Sequence, residues 1–159
     1  MSMNKFKKAA VVMAVAGALA APTANAVNIS EDGLGDYIYS PLYDARNGNQ
    51  TYIEVINTSE ETVVFKIRFR EAYNSRDVRD FNVTLSPFDV WTATVRNNGG
   101  VARLETTDRS CTSPIEIRDQ QLQAGVDVND FTNALFNDGL GGGLGRTLLG
   151  YFEIINMGQ

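Results

Sequence analysis

The sequence predicts an all-β protein: an Ig-like antiparallel β-sandwich with one or two short helices in its C-terminal third. Three observations lead there. Over residues 62–70 apolar and polar side chains alternate, with Val63, Phe65, Ile67 and Phe69 on one face and Lys66, Arg68 and Arg70 on the other, the period of a half-buried strand. Similar runs recur at about ten-residue spacing with turn residues between them, the pattern of an antiparallel sandwich. After Cys111 the alternation gives way to helix-capping and glycine signals.

Residues 1–26 read as a secretory signal peptide. Lys5, Lys7 and Lys8 form a positive start, residues 9–21 are apolar, and Ala24-Asn25-Ala26 offers a small-residue cleavage site at Ala24 and Ala26. The apolar stretch is shorter than the roughly 20 residues that cross a bilayer, so no transmembrane segment is expected once the signal is removed. Residues 27–159 then form a single sandwich domain. Processing takes three of the 14 basic residues and none of the 19 acidic ones, leaving 133 residues with a net charge of −8. Such a balance supplies no broad electrostatic footprint for nucleic acid or anionic lipid.

The strands follow in order. Residues 51–57 place Ile53 and Val55 on one face, and Asn57-Thr58-Ser59-Glu60 supplies turn chemistry, so this run and residues 62–70 are expected to be antiparallel neighbours. Phe81, Val83 and Leu85 alternate until Ser86-Pro87 stops the run. Residues 90–95 turn Trp91, Ala93 and Val95 inward and Thr92 and Thr94 outward, and Asn97-Asn98-Gly99-Gly100 makes a hairpin turn into residues 101–106. The sandwich is assigned to residues 36–106, with Phe65, Ile67, Phe69, Phe81, Val83 and Trp91 buried together.

Further on, Ser113 is expected to cap a helix with Pro114 in its first turn, Glu116 reaching back and Gly125 closing it. Asp127 or Asn129 would cap a second short helix, in which Phe131, Ala134 and Leu135 share a face. Residues 139–145 read as a flexible glycine loop, and residues 147–156 as a last strand with Phe152 and Ile154 on one side.

Counting excludes several chemistries. With no His and one Cys, neither a Ser-His-Asp triad nor a Cys/His zinc site is available. No pair among the 19 acids is singled out as a catalytic couple, so no catalytic residue, cofactor or metal is expected. The run from Gly139 to Gly145 lacks the Lys-Ser/Thr ending of a phosphate loop. Asp127, Asn129, Asp130 and Asp138 offer oxygen ligands for calcium but match no calcium-loop order, and capping explains them equally well. Asn28, Asn49, Asn57 and Asn82 begin Asn-x-Ser/Thr triplets, which matter only where a host glycosylates.

The densest mixture of charge and aromatic residues is Arg70, Glu71, Tyr73, Asn74, Arg76, Asp77 and Arg79, with Asp80, around one inter-strand loop. Tyr and Arg on a rigid scaffold make contact surfaces, so this is the candidate binding loop. The alternative is a solvated loop whose opposite charges pair locally. Cys111 has three open states: buried and inert, bridged to another chain, or bridged to a partner in a segment outside this sequence.

The segments Gly35-Asp36-Tyr37-Ile38-Tyr39, Tyr52-Ile53-Glu54-Val55-Ile56-Asn57, Lys66-Ile67-Arg68-Phe69-Arg70-Glu71 with Asn74-Ser75, Asp80-Phe81-Asn82 and Leu85-Ser86-Pro87-Phe88-Asp89-Val90-Trp91 resemble the N-terminal region of a family of uncharacterised secreted proteobacterial proteins. Thr106-Thr107-Asp108-Arg109-Ser110-Cys111-Thr112 and Gly150-Tyr151-Phe152-Glu153-Ile154-Ile155-Asn156-Met157-Gly158 resemble it too. The resemblance implies a secreted, periplasmic or cell-surface location and a longer parent protein, with residues 147–156 leading into further structure and leaving Leu149, Tyr151 and Ile155 under-covered. It carries no activity. The expected function is an exported, non-enzymatic cell-surface, matrix or assembly module that self-associates or binds another envelope protein. The alternative is a carbohydrate-binding or glycoside-cleaving domain using Tyr73 or Tyr43 beside paired acids.

Overall fold

The computed structural model describes Ser30 and residues 33–119, 122–123, 126–127 and 129–158. Among these residues ten strands are formed: β1 (Tyr37–Asp44), β2 (Thr51–Ile56), β3 (Val63–Glu71), β4 (Asp77–Leu85), β5 (Val90–Asn98), β6 (Val101–Glu105), β7 (Cys111–Ser113), β8 (Leu122–Gln123), β9 (Val126–Asp127) and β10 (Leu149–Gly158). One helical turn, α1 (Glu116–Asp119), follows β7, and a 3-10 helix, η1 (Gly143–Leu148), leads into β10. A five-stranded antiparallel sheet in the order β1-β10-β3-β4-β7 faces a three-stranded one in the order β2-β5-β6, while β8 and β9 form a small hairpin.

The alternation foreseen in β3, β4 and β5 is present and builds the core. Phe65, Ile67, Phe69, Phe81 and Val83 of the larger sheet are buried against Trp91, Ala93 and Val95 of the smaller one. Trp91 meets Phe65 and Phe81 edge-on, with ring centroids 6.2 and 5.8 Å apart. Phe69 gathers Tyr43, Phe131 and Phe152 around it at 4.9–5.7 Å. The β5–β6 turn is a two-residue hairpin in which Gly99 and Gly100 both have positive φ, 62° and 98°, the conformation that such loops require.

β2 and β3 are not neighbours. β2 pairs with β5, from Thr51 opposite Val95 to Ile56 opposite Val90, whereas β3 lies between β10 and β4. Asn57 causes the difference. Its buried side chain donates to the carbonyls of Glu61 at 2.7 Å and Ser86 at 2.8 Å, and its Oδ1 accepts from the Ser59 amide at 3.0 Å. The Asn57 amide itself donates to Asp89 O at 2.9 Å. One side chain thus fastens together the β2–β3 and β4–β5 corners, and both carry the chain across from one sheet to the other instead of folding it back as a hairpin.

The sandwich also extends beyond residues 36–106, because its larger sheet needs β10. That strand is no exposed edge. It pairs with β1 from Tyr37 opposite Ile155 to Asp44 opposite Leu149, and with β3 from Glu71 opposite Gly150 to Phe65 opposite Asn156. Leu149, Tyr151 and Ile155 are accordingly half-buried on its outer side.

The helical expectations are corrected. Ser113 sits in β7 opposite Asn82, and α1 is a single turn anchored by buried Ile117, with Thr112 Oγ1 accepting from the Arg118 amide at 3.1 Å. Gly125 lies outside the described residues. Asp127 belongs to β9, and no second helix forms over residues 129–142. There the free edge of β6 wins: Leu104 N donates to Asn129 O at 2.9 Å and Phe131 N to Ala102 O at 2.8 Å. This lays Phe131 into the aromatic cluster and leaves Leu135 exposed, so the supposed common face does not exist.

Candidate functional site

Of the candidate loop residues, Glu71 turns out to be an organiser of structure. It ends β3 with its side chain fully buried, and its carboxylate accepts from the amides of Tyr73 at 2.7 Å, Asn74 at 3.2 Å and Arg76 at 3.0 Å. Those bonds shape the β3–β4 turn. Its remaining capacity is taken by Arg146 of η1, whose Nη2 and Nε lie 2.9 and 3.3 Å away. Arg146 also reaches both oxygens of Asp138, at 2.9 and 2.8 Å, and Asn74 Oδ1 at 3.1 Å. Its guanidinium lies over the Phe136 ring at 4.1 Å and the Tyr73 ring at 5.1 Å, both cation–π distances.

The glycine run therefore serves as more than a linker. Gly142 has φ 83°, and a Cβ there would stand 2.8 Å from Arg146 Cγ, so the bend that delivers Arg146 requires glycine. Burial would raise the Glu71 carboxyl, but Arg146 and the three amides outweigh it and hold the group below its ordinary range. Asp138 is also held below its ordinary range, chiefly by its hydrogen bonds with Arg146. With the guanidinium donors turned to acceptors of the chain itself, this cluster is a clasp between three segments and offers little to a ligand.

The rest of the predicted loop divides. Tyr73 is exposed above the clasp, Asn74 is bonded into it, and Arg76 approaches Asp138 at 3.8 Å. Arg79 is half-buried within β4. Arg70 and Asp77 belong to the outer face of the five-stranded sheet. There Lys66, Arg68 and Arg70 form a column along β3 flanked by carboxylates: Lys66 meets Asp80 at 2.7 Å, Arg68 meets Asp77 at 3.5 Å, and Arg70 meets Glu153 of β10 at 3.4 Å. Burial pushes the Asp77 carboxyl up, against the pull of Arg70 and Arg68.

Beyond Glu153 the same face becomes aromatic. Tyr39 of β1 lies 5.4 Å from Tyr151 of β10, ring to ring. Partial desolvation and the neighbouring Glu153 carboxylate raise the Tyr37 hydroxyl above its ordinary pKa. Tyr37 and Tyr39 are both more than half exposed. Sequence reasoning missed this array because its strands are more than 100 residues apart. The alternation of Tyr37 with Tyr39, and of Tyr151 with Glu153, was the available signal.

Other expectations are relocated. Tyr43, proposed as an exposed sugar-stacking ring, is fully buried, and its hydroxyl donates to Thr147 O at 2.9 Å. Cys111 is exposed on β7 at the sheet edge, which removes the buried, inert state. The oxygen ligands considered for calcium are dispersed, Asp138 to Arg146 and Asp130 to Asn98 and Arg103. Among the described residues no three His, Cys, Asp or Glu side chains converge on a metal-sized site. On the outer side of the three-stranded sheet a shallow depression of about 590 Å³ is lined by Tyr52, Glu54, Thr92, Thr94 and Glu105, with Tyr52 80% exposed. Compared with protein-family models, curated proteins and solved structures, the chain matches none.

Proposed function

We propose that this chain is an exported, non-enzymatic β-sandwich of Ig-like character that works as a cell-surface, matrix or assembly module. In this reading it holds its partner on the outer face of the five-stranded sheet. The observation that carries it is the array of Tyr37, Tyr39 and Tyr151 beside Arg68, Arg70 and Glu153, displayed on strands paired with one another. Tyrosine and arginine dominate the energetics of protein contacts because they bring large area and hydrogen bonding at low entropic cost. The signal-like residues 1–26 and the resemblance to secreted proteobacterial proteins supply the location. Exposed Cys111 suits self-association through a disulfide in an oxidising compartment.

Fractionation of producing cells tests the reading. Wild-type protein should be retained in the envelope or matrix, and a Tyr37→Ser, Tyr39→Ser, Tyr151→Ser variant with an unchanged melting temperature should be released into the medium. Equal retention of the two proteins would refute it. The second reading, saccharide binding, is favoured by Tyr52 standing beside Glu54, Thr92 and Thr94. On a glycan array it requires a specific signal that Tyr52→Ala removes.

A further inference from the structure

Cross-strand partners stand at the same height along a sheet, so the outer face of the five-stranded sheet reads in rows. One row runs Tyr39, Glu153, Arg68 and Asp80 across β1, β10, β3 and β4. On either side of it, β10 and β3 set Ile155 beside Lys66 and Tyr151 beside Arg70. Reversed and laid on itself, the first row brings Tyr39 to Asp80 and Glu153 to Arg68. The same reversal brings Tyr151 to Arg70 and Ile155 to Lys66. Each of these meetings is complementary: a phenol donates to a carboxylate, a carboxylate meets a guanidinium, a ring receives a guanidinium, and an apolar side chain covers a lysine stem.

Such a reversal is what a two-fold axis performs when it lies in the plane of the face, parallel to the strands and midway between β10 and β3, the self-complementary geometry of a symmetric dimer. We infer that, where this face holds the partner as proposed above, the partner is a second copy of the chain packed sheet to sheet about that axis. The charge agrees. Lys66, Arg68 and Arg70 are matched by Asp80, Asp77 and Glu153, so the face is neutral in a chain of net charge −5. Two copies can meet there without setting like charge against like. Arg68 stands 3.5 Å from Asp77 and 4.0 Å from Glu153, longer than ordinary hydrogen bonds, which leaves guanidinium donors for Glu153 of the second copy. The four strands, of eight to ten residues each, present a face of about 500 Å². The two copies together bury about 1,000 Å², the lower bound of specific interfaces, so the dimer is weak and reversible.

Sedimentation equilibrium of the exported protein, in reductant so that Cys111 cannot bridge, should show a reversible monomer–dimer equilibrium. Tyr39→Glu sets a carboxylate against Asp80 on both sides of the axis and should weaken the dimer about tenfold or more. Adding an equal amount of Asp80→Lys supplies the opposite charge, so the mixed dimer should form about tenfold more tightly than the Tyr39→Glu dimer. Tyr39 is 53% exposed and the Asp80 side chain 47%, so both variants should keep the wild-type melting temperature. Tyr39→Gln, which loses the meeting with Asp80 without adding charge, gives a second reading and should weaken the dimer about threefold. A monomer at every concentration, a dimer indifferent to both Tyr39 variants, or a mixture no tighter than Tyr39→Glu alone would overturn the inference. If the wild type is monomeric while envelope retention still depends on Tyr37, Tyr39 and Tyr151, the inference falls but the face remains the binding surface, for a different protein.

Discussion

Arg146 shows how much depends on a single buried charge. Removing it leaves buried Glu71 without its cation and Asp138 with only the 3.8 Å approach of Arg76, the situation in which breaking a buried pair costs far more than the pair itself contributes. Arg146→Met should lower the melting temperature by about 10 °C or more, whereas Arg46→Met, at an exposed pair with Asp44, should shift it by less than about 2 °C. Thermal scans of the two variants check the contrast. The same cluster sets an acid limit. Both carboxyls titrate below their ordinary values of 4.5 for Glu71 and 3.8 for Asp138, so the unfolded chain binds more protons in the acid range. Their stabilisation is complete above those ordinary values and is lost as pH falls through the depressed folded ones. Urea midpoints measured between about pH 6 and pH 2 should fall with acidification, and in Arg146→Met that slope should flatten. None of this could be read from local pattern: Glu71 looks like one charge of a solvated loop and Arg146 like the end of a linker, and 75 positions separate them.

At the scale of the element, Gly150 marks where three strands are drawn tightest. A Cβ there would stand 1.9 Å from Arg70 O and 2.8 Å from a ring carbon of Tyr43, a collision with backbone on one side and a fully buried ring on the other. Gly150→Ala should therefore destabilise by more than about 4 kcal/mol, at the exceptional end for a point change. Gly145→Ala, where nothing lies within 4 Å and φ is not positive, should be neutral or should stabilise by up to about 1 kcal/mol. Denaturant curves separate the two. β3, β4 and β5 were legible because a half-buried strand declares itself by alternation. The partners of β2 and the extended path of residues 129–131 were not. Partner choice for β2 rests on the Asn57 corner, and residues 129–131 follow the hydrogen-bonding edge of β6 in preference to the helix that local capping signals suggested.

For the whole molecule, the decisive fact is that β10 lies between β1 and β3. The class of fold was visible from the number and spacing of strands, but this order was not, since it joins segments more than 100 residues apart. Pairings of that range must overcome loop-closure entropy before they are rewarded, so folding should be slow, on the order of milliseconds to seconds. A chain ending at Leu148 should show no cooperative unfolding transition, because the inner faces of β1 and β3 lose the strand that joins them. Circular dichroism with urea titration checks this, and a normal transition would contradict the central role given to β10. The position of β10 also bears on biosynthesis. A polypeptide in which the strand second in its main sheet follows all the others of that sheet in sequence cannot close the sheet before that strand has been translated. Until Leu149–Gly158 has been made the sheet stays open, with β1 and β3 each lacking the neighbour that joins them.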